Sequence, residues 1–321
     1  MSESVDGSLL PDKDLTFAKV VVLAQHAGGL ALAAREMESA STGLPVGELD
    51  RLMAGRLAVM REAAERGCAG PVISRTGTTG GDAFRLCVAT GRGGILGGPL
   101  TRAVARALAI AEVNAAMGRI VAAPTAGSCG IVPGVLLTVA EQCGLGDDKI
   151  VEGLWVAGLV GQVIQGRIAL SGAQGGCQAE CGAAAAMAAA AACHLAGGDA
   201  QASTHAAAIA LKNLLGLVCD PVAGLVEVPC IKRNAGGVAI ALAAAEMALA
   251  GIRSVIPPDE VVMAMAEIGH GLPLALRETG EGGLAATPTG RAIAAALAED
   301  GDLGASDASV SGSVTGSERK C

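Results

Sequence analysis

The chain is nearly without aromatic side chains: its 321 residues include two Phe, one Trp and no Tyr. Proteins that grip single-stranded nucleic acid stack bases on aromatic platforms, and almost none is available here. There is no excess of positive charge either. Lys and Arg number 23 against 31 Asp and Glu, a formal charge of -8 at pH 7, so no basic face awaits a phosphate backbone. Nucleic-acid binding is excluded on both counts. An apolar leader is missing too: Met1-Ser-Glu-Ser-Val-Asp6 is polar and acidic, which points to a cytoplasmic chain rather than a secreted one.

What the chain has in quantity is small. There are 47 Gly and 10 Cys, and 51% of the residues are hydrophobic, so the core must be built from Ala, Val, Leu, Ile and Met with backbones in close approach. Mean hydropathy is high, at +0.51, and two uncharged runs, 181–198 and 153–166, raise the question of a membrane. Both are dominated by Ala and Gly or interrupted by Gln, whereas a spanning helix needs about 20 strongly apolar residues. They read as buried helices, with no membrane partner expected. In a chain without an export signal, ten cysteines do not form a disulfide framework; they are core fillers or ligands for a soft metal.

The patterning is helical almost throughout. Apolar residues recur at helical spacing from Leu15 to Glu65, with Leu49, Leu52, Met53, Leu57 and Met60 on one face. A helix is expected from Thr101 to Met117, and an apolar one after Pro133. Ser171-Gly-Ala-Gln-Gly-Gly176 is read as the opening of the long Ala-rich helix, Ala206–Leu217 as another, and Pro257-Pro-Asp259 as a start signal for a further one. A last helix is expected over 291–299. Strand-like runs are few, so the fold class is mainly α, with glycine-rich loops between tightly packed helices. Residues 1–14 and 301–321 are polar and are expected to be flexible ends flanking one domain over 15–300.

Glycine-rich loops invite a phosphate reading, which fails on detail. Thr76-Gly-Thr-Thr-Gly-Gly-Asp82 and Gly91-Arg-Gly-Gly-Ile-Leu-Gly-Gly-Pro99 have no following Gly-Lys-Ser/Thr, and Leu96 occupies the third glycine position of a dinucleotide fingerprint. No pyridoxal phosphate site is expected. Among the cysteines no C-x-x-C pair occurs, which disfavours zinc-ribbon and ferredoxin patterns. Cys177 and Cys181 are four apart and share a face if a helix begins at Gly176. Cys219 and Cys230 flank a Pro-bounded loop. Cys68, Cys87, Cys143 and Cys193 read as buried small side chains, and Cys129 stands apart in a small-residue loop. Widely spaced thiols such as these are compatible with one iron–sulfur cluster, but spacing alone does not choose them.

Four segments carry more. Ala123-Pro-Thr-Ala-Gly-Ser-Cys-Gly130, Ser171-Gly-Ala-Gln-Gly-Gly-Cys-Gln-Ala-Glu180, the stretch from Leu211 through Cys219-Asp-Pro-Val-Ala-Gly-Leu-Val-Glu-Val-Pro-Cys-Ile-Lys-Arg-Asn234, and Leu276-Arg-Glu-Thr-Gly-Glu-Gly-Gly-Leu-Ala-Ala-Thr-Pro-Thr-Gly290 closely resemble the alpha subunit of iron–sulfur-dependent L-serine dehydratases. The resemblance extends over about residues 15–300. It implies an all-helical catalytic domain that holds a [4Fe–4S] cluster and converts L-serine to pyruvate and ammonia, with a separately encoded beta subunit as partner or a homo-oligomer in its place. The family's three cluster cysteines fall on Cys177, Cys219 and Cys230. Three protein ligands leave one iron open as a Lewis acid, which dehydration needs and electron transfer does not.

On that footing Thr125, Ala126, Gly127 and Ser128 are expected to line the substrate pocket, with Thr125 and Ser128 near the chemistry. Lys232 and Arg233 are candidates to neutralise the carboxylate or, for Lys232, to relay a proton; His205 and His270 are alternative bases. Cys129 and Cys181 depart from the family pattern, where small or apolar residues are expected, and read as volume-conserving fillers. Cys321 at the terminus resembles the C-terminal cysteine of some members that folds back as a fourth ligand; a tail of some twenty residues spans roughly 25 Å as a coil. An L-cysteine desulfidase of the same type and a noncatalytic iron–sulfur redox or sensor protein are the alternative functions.

Overall fold

The computed structural model describes residues 14–90 and 95–299. The expected flexible ends, the Gly91–Gly94 part of the second glycine-rich loop, and Cys321 lie outside the described residues. Thirteen α-helices form among them: α1 Phe17–Ala27, α2 Leu30–Thr42, α3 Val46–Ala69, α4 Asp82–Thr90, α5 Gly97–Ala115, α6 Ile131–Cys143, α7 Asp147–Gln165, α8 Gly172–Gly175, α9 Cys181–Leu195, α10 Ala200–Lys212, α11 Cys230–Leu249, α12 Pro258–Gly271 and α13 Pro288–Glu299. No strand forms among the described residues; two isolated bridges, Ile73 with Gly80 and Cys219 with Arg277, are the sum of the extended pairing. The all-helical expectation holds.

α1, α8 and α10 open on side chains that satisfy one of their free N–H groups. Thr16 Oγ1 accepts from the Lys19 N–H at 3.1 Å to open α1, and Asp199 Oδ1 accepts from the Ala202 N–H at 2.7 Å to open α10. The Pro257-Pro258 signal opens α12 as expected. The Asp259 carboxylate then accepts from the Phe17 and Ala18 N–H groups, which binds the start of α1 to α12.

α9 is the axis of the molecule. Every residue from Cys181 to Cys193 is buried, nine of them Ala, and α6, α7, α10 and α11 pack around it. Methyl-sized side chains on all faces allow neighbouring helices to approach closely. α5 organises a second layer against α3, α4, α6 and α11. One apolar cluster runs through both layers from Leu15 to Met265. The one described stretch apolar and long enough to cross a membrane, Ala126–Cys143, is 72% buried within the protein.

The long Ala-rich helix does not open at Ser171, contrary to the sequence expectation. Ser171 caps only the single turn α8; Gly176 then takes φ +72° and ψ 178°, a 3-10 turn follows over Cys177–Ala179, and α9 begins at Cys181. Cys177 therefore projects from an irregular turn and not from the face of α9 that carries Cys181. Only glycine suits Gly176: its backbone region is essentially closed to other residues, and a Cβ would stand 2.5 Å from Leu272 Cδ1 and 2.9 Å from the Leu217 carbonyl. A Gly176→Ala variant is expected to lose about 1–3 kcal/mol. Urea titration of the metal-free chain should show a lower midpoint at unchanged slope; an unmoved midpoint would contradict this role.

Candidate functional site

Three loops meet where α8, α9 and α11 converge, and each brings one of the expected ligand cysteines. Cys177 comes from the 3-10 turn before α9, Cys219 from the segment after α10, and Cys230 is the first residue of α11. Their relative exposures are 2%, 4% and 9%. Each pair is close enough for the charges to interact: Cys177 and Cys230 both push Cys219 up, and Cys177 pushes up Cys230.

Arg233 holds the three together. It lies three residues after Cys230, about 300° around the helix and so on nearly the same face. Its guanidinium donates to the Val218 carbonyl at 2.8 Å and to Asp220 Oδ1 at 2.8 Å, on either side of Cys219, and it also hydrogen-bonds Cys177. Asp220 Oδ2 accepts from the Leu284 N–H at 2.8 Å, which brings the 276–287 loop into the same assembly. The neighbouring Asn234, fully buried, donates to the carbonyls of Gly127 (2.8 Å) and Cys230 (2.9 Å) and accepts from the Gly130 N–H (2.9 Å). Through Asn234 the 123–130 loop is fixed to the start of α11.

Within that loop Thr125 and Ser128 form a reciprocal cap on a 3-10 turn over Ala126–Ser128, their hydroxyls 3.2 Å apart. Facing them is Glu180, which the sequence reading did not single out. Its carboxylate accepts from Thr125 and, at Oε2, from the Cys219 thiol at 3.7 Å. A Cβ on Gly127 would sit 3.5 Å from Glu180 Oε1 and 3.7 Å from Thr125 Oγ1, so the absence of that side chain leaves space between loop and acid. Burial raises the Glu180 pKa, Glu278 adds to the rise, and the Thr125 hydrogen bond opposes it. The Cys177 thiol is held low by a hydrogen bond from Cys181 and by the Arg233 charge, against the cost of burial. Cys230 is pushed up to about 12, mainly by burial.

The other expected residues sit apart from this cluster. Lys232, two positions after Cys230, points about 200° away around α11, where its ammonium pairs with the Asp82 carboxylate at the start of α4. His205 accepts from the Ser254 N–H at 3.2 Å beside Arg253. His270 is exposed at the end of α12. Cys129 is fully buried against the Ile110 carbonyl at 4.0 Å, as a filler would be. Cys143, by contrast, is exposed, and Cys68 and Cys87 are half-buried, so the expectation of buried packing residues fails for these three.

A second residue that sequence reasoning passed over is Arg277. Cys219 donates its N–H to the Leu276 carbonyl (2.9 Å), and Glu278 donates to the Cys219 carbonyl (2.7 Å), a parallel bridge that pairs Cys219 with Arg277. Paired residues of such a bridge project to the same side, so Arg277 issues on the side of the Cys219 thiol. Its Nε is buried without a hydrogen-bond partner, and no ion pair to it forms among the described residues.

The donor set suits an iron–sulfur cluster. Three thiols and no imidazole form a soft set, and the cradle is lined by glycine: a Cβ on Gly172 would meet Cys219 Sγ at 2.5 Å and Glu180 Oε2 at 2.8 Å. Among the described residues no three His, Cys, Asp or Glu side chains close on a point fit for one metal ion; a polynuclear cluster, with one thiolate per iron, spreads its ligands wider.

The chain is also similar in sequence to known proteins. The family model described as serine dehydratase alpha chain matches residues 21–285. The chain is 54% identical over 238 residues to the "Probable L-serine dehydratase, alpha chain" of Bacillus subtilis, covering 74% of this chain and 79% of that protein. It is 48% identical over 208 residues to the "L-serine dehydratase, alpha chain" of Peptoniphilus asaccharolyticus (65% and 71%). It is 42% identical over 181 residues to the "L-serine dehydratase" of Streptomyces coelicolor, where the match spans 56% of this chain and 40% of that protein.

If the Arg233–Asp220 pair fastens the site, Arg233→Ala should destabilise the metal-free chain by about 3–5 kcal/mol, because it strands a carboxylate that is 4% exposed. Asp220→Asn in the same background should recover part of that loss. A double-mutant cycle read by urea unfolding is expected to give a coupling of about 1–3 kcal/mol; strict additivity would show that the two side chains act independently.

Proposed function

The chain belongs to the serine dehydratase alpha-chain family, and on that premise we propose that it is an L-serine ammonia-lyase, which dehydrates L-serine to aminoacrylate and so yields pyruvate and ammonia. The observation that carries the reading is the meeting of three buried thiols from three loops with an acid, Glu180, and a hydroxyl-bearing loop on its far side. Cys177, Cys219 and Cys230 would hold the [4Fe–4S] cluster, which when bound supplies a Lewis-acidic iron with an open position for the departing hydroxyl oxygen.

The chain's own residues do the rest. Dehydration removes the Cα proton and the Cβ hydroxyl of serine, and the proton is acidic enough only if the carboxylate is neutralised. Arg233 and Lys232, the sequence candidates for that task, are already engaged with Asp220 and Asp82. Arg277 is the unpaired guanidinium on the Cys219 side, and we assign it the substrate carboxylate, which its planar fork suits. Thr125 and Ser128 offer hydroxyls to the same amino acid, with Ala126 and Gly127 forming the wall between them and Glu180. Arg233 keeps the thiol-bearing segments in register, and Lys232 positions the start of α4 through Asp82.

A separately encoded beta chain is the proposed partner. Two of the relatives above are themselves called alpha chains, and the Streptomyces protein extends well beyond the matched stretch. A cytoplasmic location fits nine described cysteines of which none is in a disulfide.

The test is anaerobic. The protein, assayed alone and co-expressed with a beta chain from the same source, should bind iron and form pyruvate from L-serine. Cys219→Ser should remove both iron and turnover. Arg277→Ala should keep iron while raising KM for L-serine roughly 10- to 100-fold, the factor equivalent to about 1.5–3 kcal/mol of charge-assisted hydrogen bonding. Turnover of L-cysteine in preference to L-serine, or pyruvate formation by an iron-free protein, would contradict the proposal; an unchanged KM in Arg277→Ala would remove that residue's role alone.

A further inference from the structure

Away from the three-loop site, the C-terminal turn of α3 and the body of α4 are both packed on α5, and this brings Cys68 and Cys87 together. The two thiols, nineteen positions apart in sequence, hydrogen-bond each other across the α3–α4 contact. Both open onto a cavity of about 490 Å³ between α3, α4, α5, α6 and α7. Its charged wall consists of Arg61, Arg102, Arg106, Glu65, Glu141 and Asp147. Arg106 is fixed by Thr138 (2.8 Å) and Glu141 (2.7 Å), and Arg61 pairs with Asp147. Arg102 Nε is buried without a hydrogen-bond partner, 3.3 Å from Glu141 Oε1 but outside hydrogen-bonding geometry. The cavity thus combines two neighbouring thiols with an arginine, Arg102, that is ion-paired with Glu141 but whose Nε makes no hydrogen bond.

We propose that Cys68 and Cys87 are a redox-active dithiol that exchanges with small, carboxylate-bearing disulfides admitted to this cavity and closes to a disulfide between α3 and α4. The Cys87 thiolate attacks one sulfur of the small disulfide, forming a mixed disulfide and releasing one thiolate. The Cys68 sulfur, after losing its proton to solvent, attacks Cys87 and releases the second thiolate. Two protein thiols are oxidised by two electrons, and one disulfide is reduced to two thiols. The roles follow from the surroundings. The Cys87 thiol is lowered by the hydrogen bond from Cys68 and by the Arg106 charge, against burial and Glu112. Cys68 is raised by that same bond and by burial, Arg106 opposing and Glu112 adding to the rise. One thiol is thus set as the nucleophile and the other as its resolving partner. The cavity's arginines suit the carboxylates of the small disulfide. Closure would tie α3 to the helix whose first residue, Asp82, is paired with Lys232.

Cys143 is the internal control, because it is exposed and stands outside the pair. Anaerobically prepared holoprotein would be exposed to oxidised glutathione, quenched by alkylation, digested and mapped by mass spectrometry. A Cys68–Cys87 linked peptide is expected, formed at least about tenfold faster than any adduct on Cys143, reversed by dithiothreitol, and without loss of bound iron. In Cys68→Ser the reaction should stop at a stable glutathione adduct on Cys87. Separate alkylation of Cys68 and Cys87 with no linked peptide, or an adduct on Cys143 first, would overturn the proposal whether or not the variant folds.

Discussion

The Arg233–Asp220 ion pair is the contact on which the site's geometry depends. Burying a carboxylate and a guanidinium costs several kcal/mol per ion and is offset only when both are fully hydrogen-bonded. Here the cost is offset by structure: Asp220 accepts from Arg233 and from the Leu284 N–H, and Arg233 donates as well to the Val218 carbonyl and to Cys177. The pair thereby fixes the segment around Cys219, the turn of Cys177, the start of α11 with Cys230 and the loop that carries Arg277. A lysine has the charge but not the planar fork that reaches a carbonyl and a carboxylate at once. The three thiols share no regular element, and the pair acts together with the Gln178 N–H, which donates to the Leu217 carbonyl at 3.0 Å, and with the bridge of Cys219 to Arg277 to hold them in register.

The apolar packing is unusual in kind. With three aromatic side chains in the whole chain, the protein fills its interior with alanine methyls and draws backbones together. α9, buried on every side, is where this is most evident. Small residues also make room at the site. Gly172 leaves the space beside Cys219 and Glu180, Gly127 the space between Glu180 and Thr125. The same compositional bias therefore serves the core and the cradle.

Much of the fold was legible in the sequence because helix signals are local. The start of α12 at Pro258 and the helical character of residues 15–65 follow from caps and apolar spacing. The break at Gly176 was not read, because a glycine after a capped turn looks like helix until the backbone is known to reverse there. The three thiols were reached through motif resemblance and not through spacing, since no two of them stand at a recognisable ligand interval. The separate duties of Lys232 and Arg233 were in principle readable: once α11 is known to start at Cys230, 100° per residue sends them to different faces. Glu180 and Arg277 were hidden for a deeper reason. One is defined by what packs opposite it and the other by a single bridge to a residue 58 positions away, and neither leaves a periodic trace. The Cys68–Cys87 contact is likewise a product of two helices docking on a third.

The central claim is that the three thiols and the open site beside them serve serine directly. Anaerobic Mössbauer spectra of the iron-loaded protein, recorded without and with L-serine, test it most directly. The account predicts that one iron in four shifts on addition of L-serine, and that the shift requires the substrate hydroxyl, being absent with L-alanine. Four irons that respond identically or not at all would contradict it.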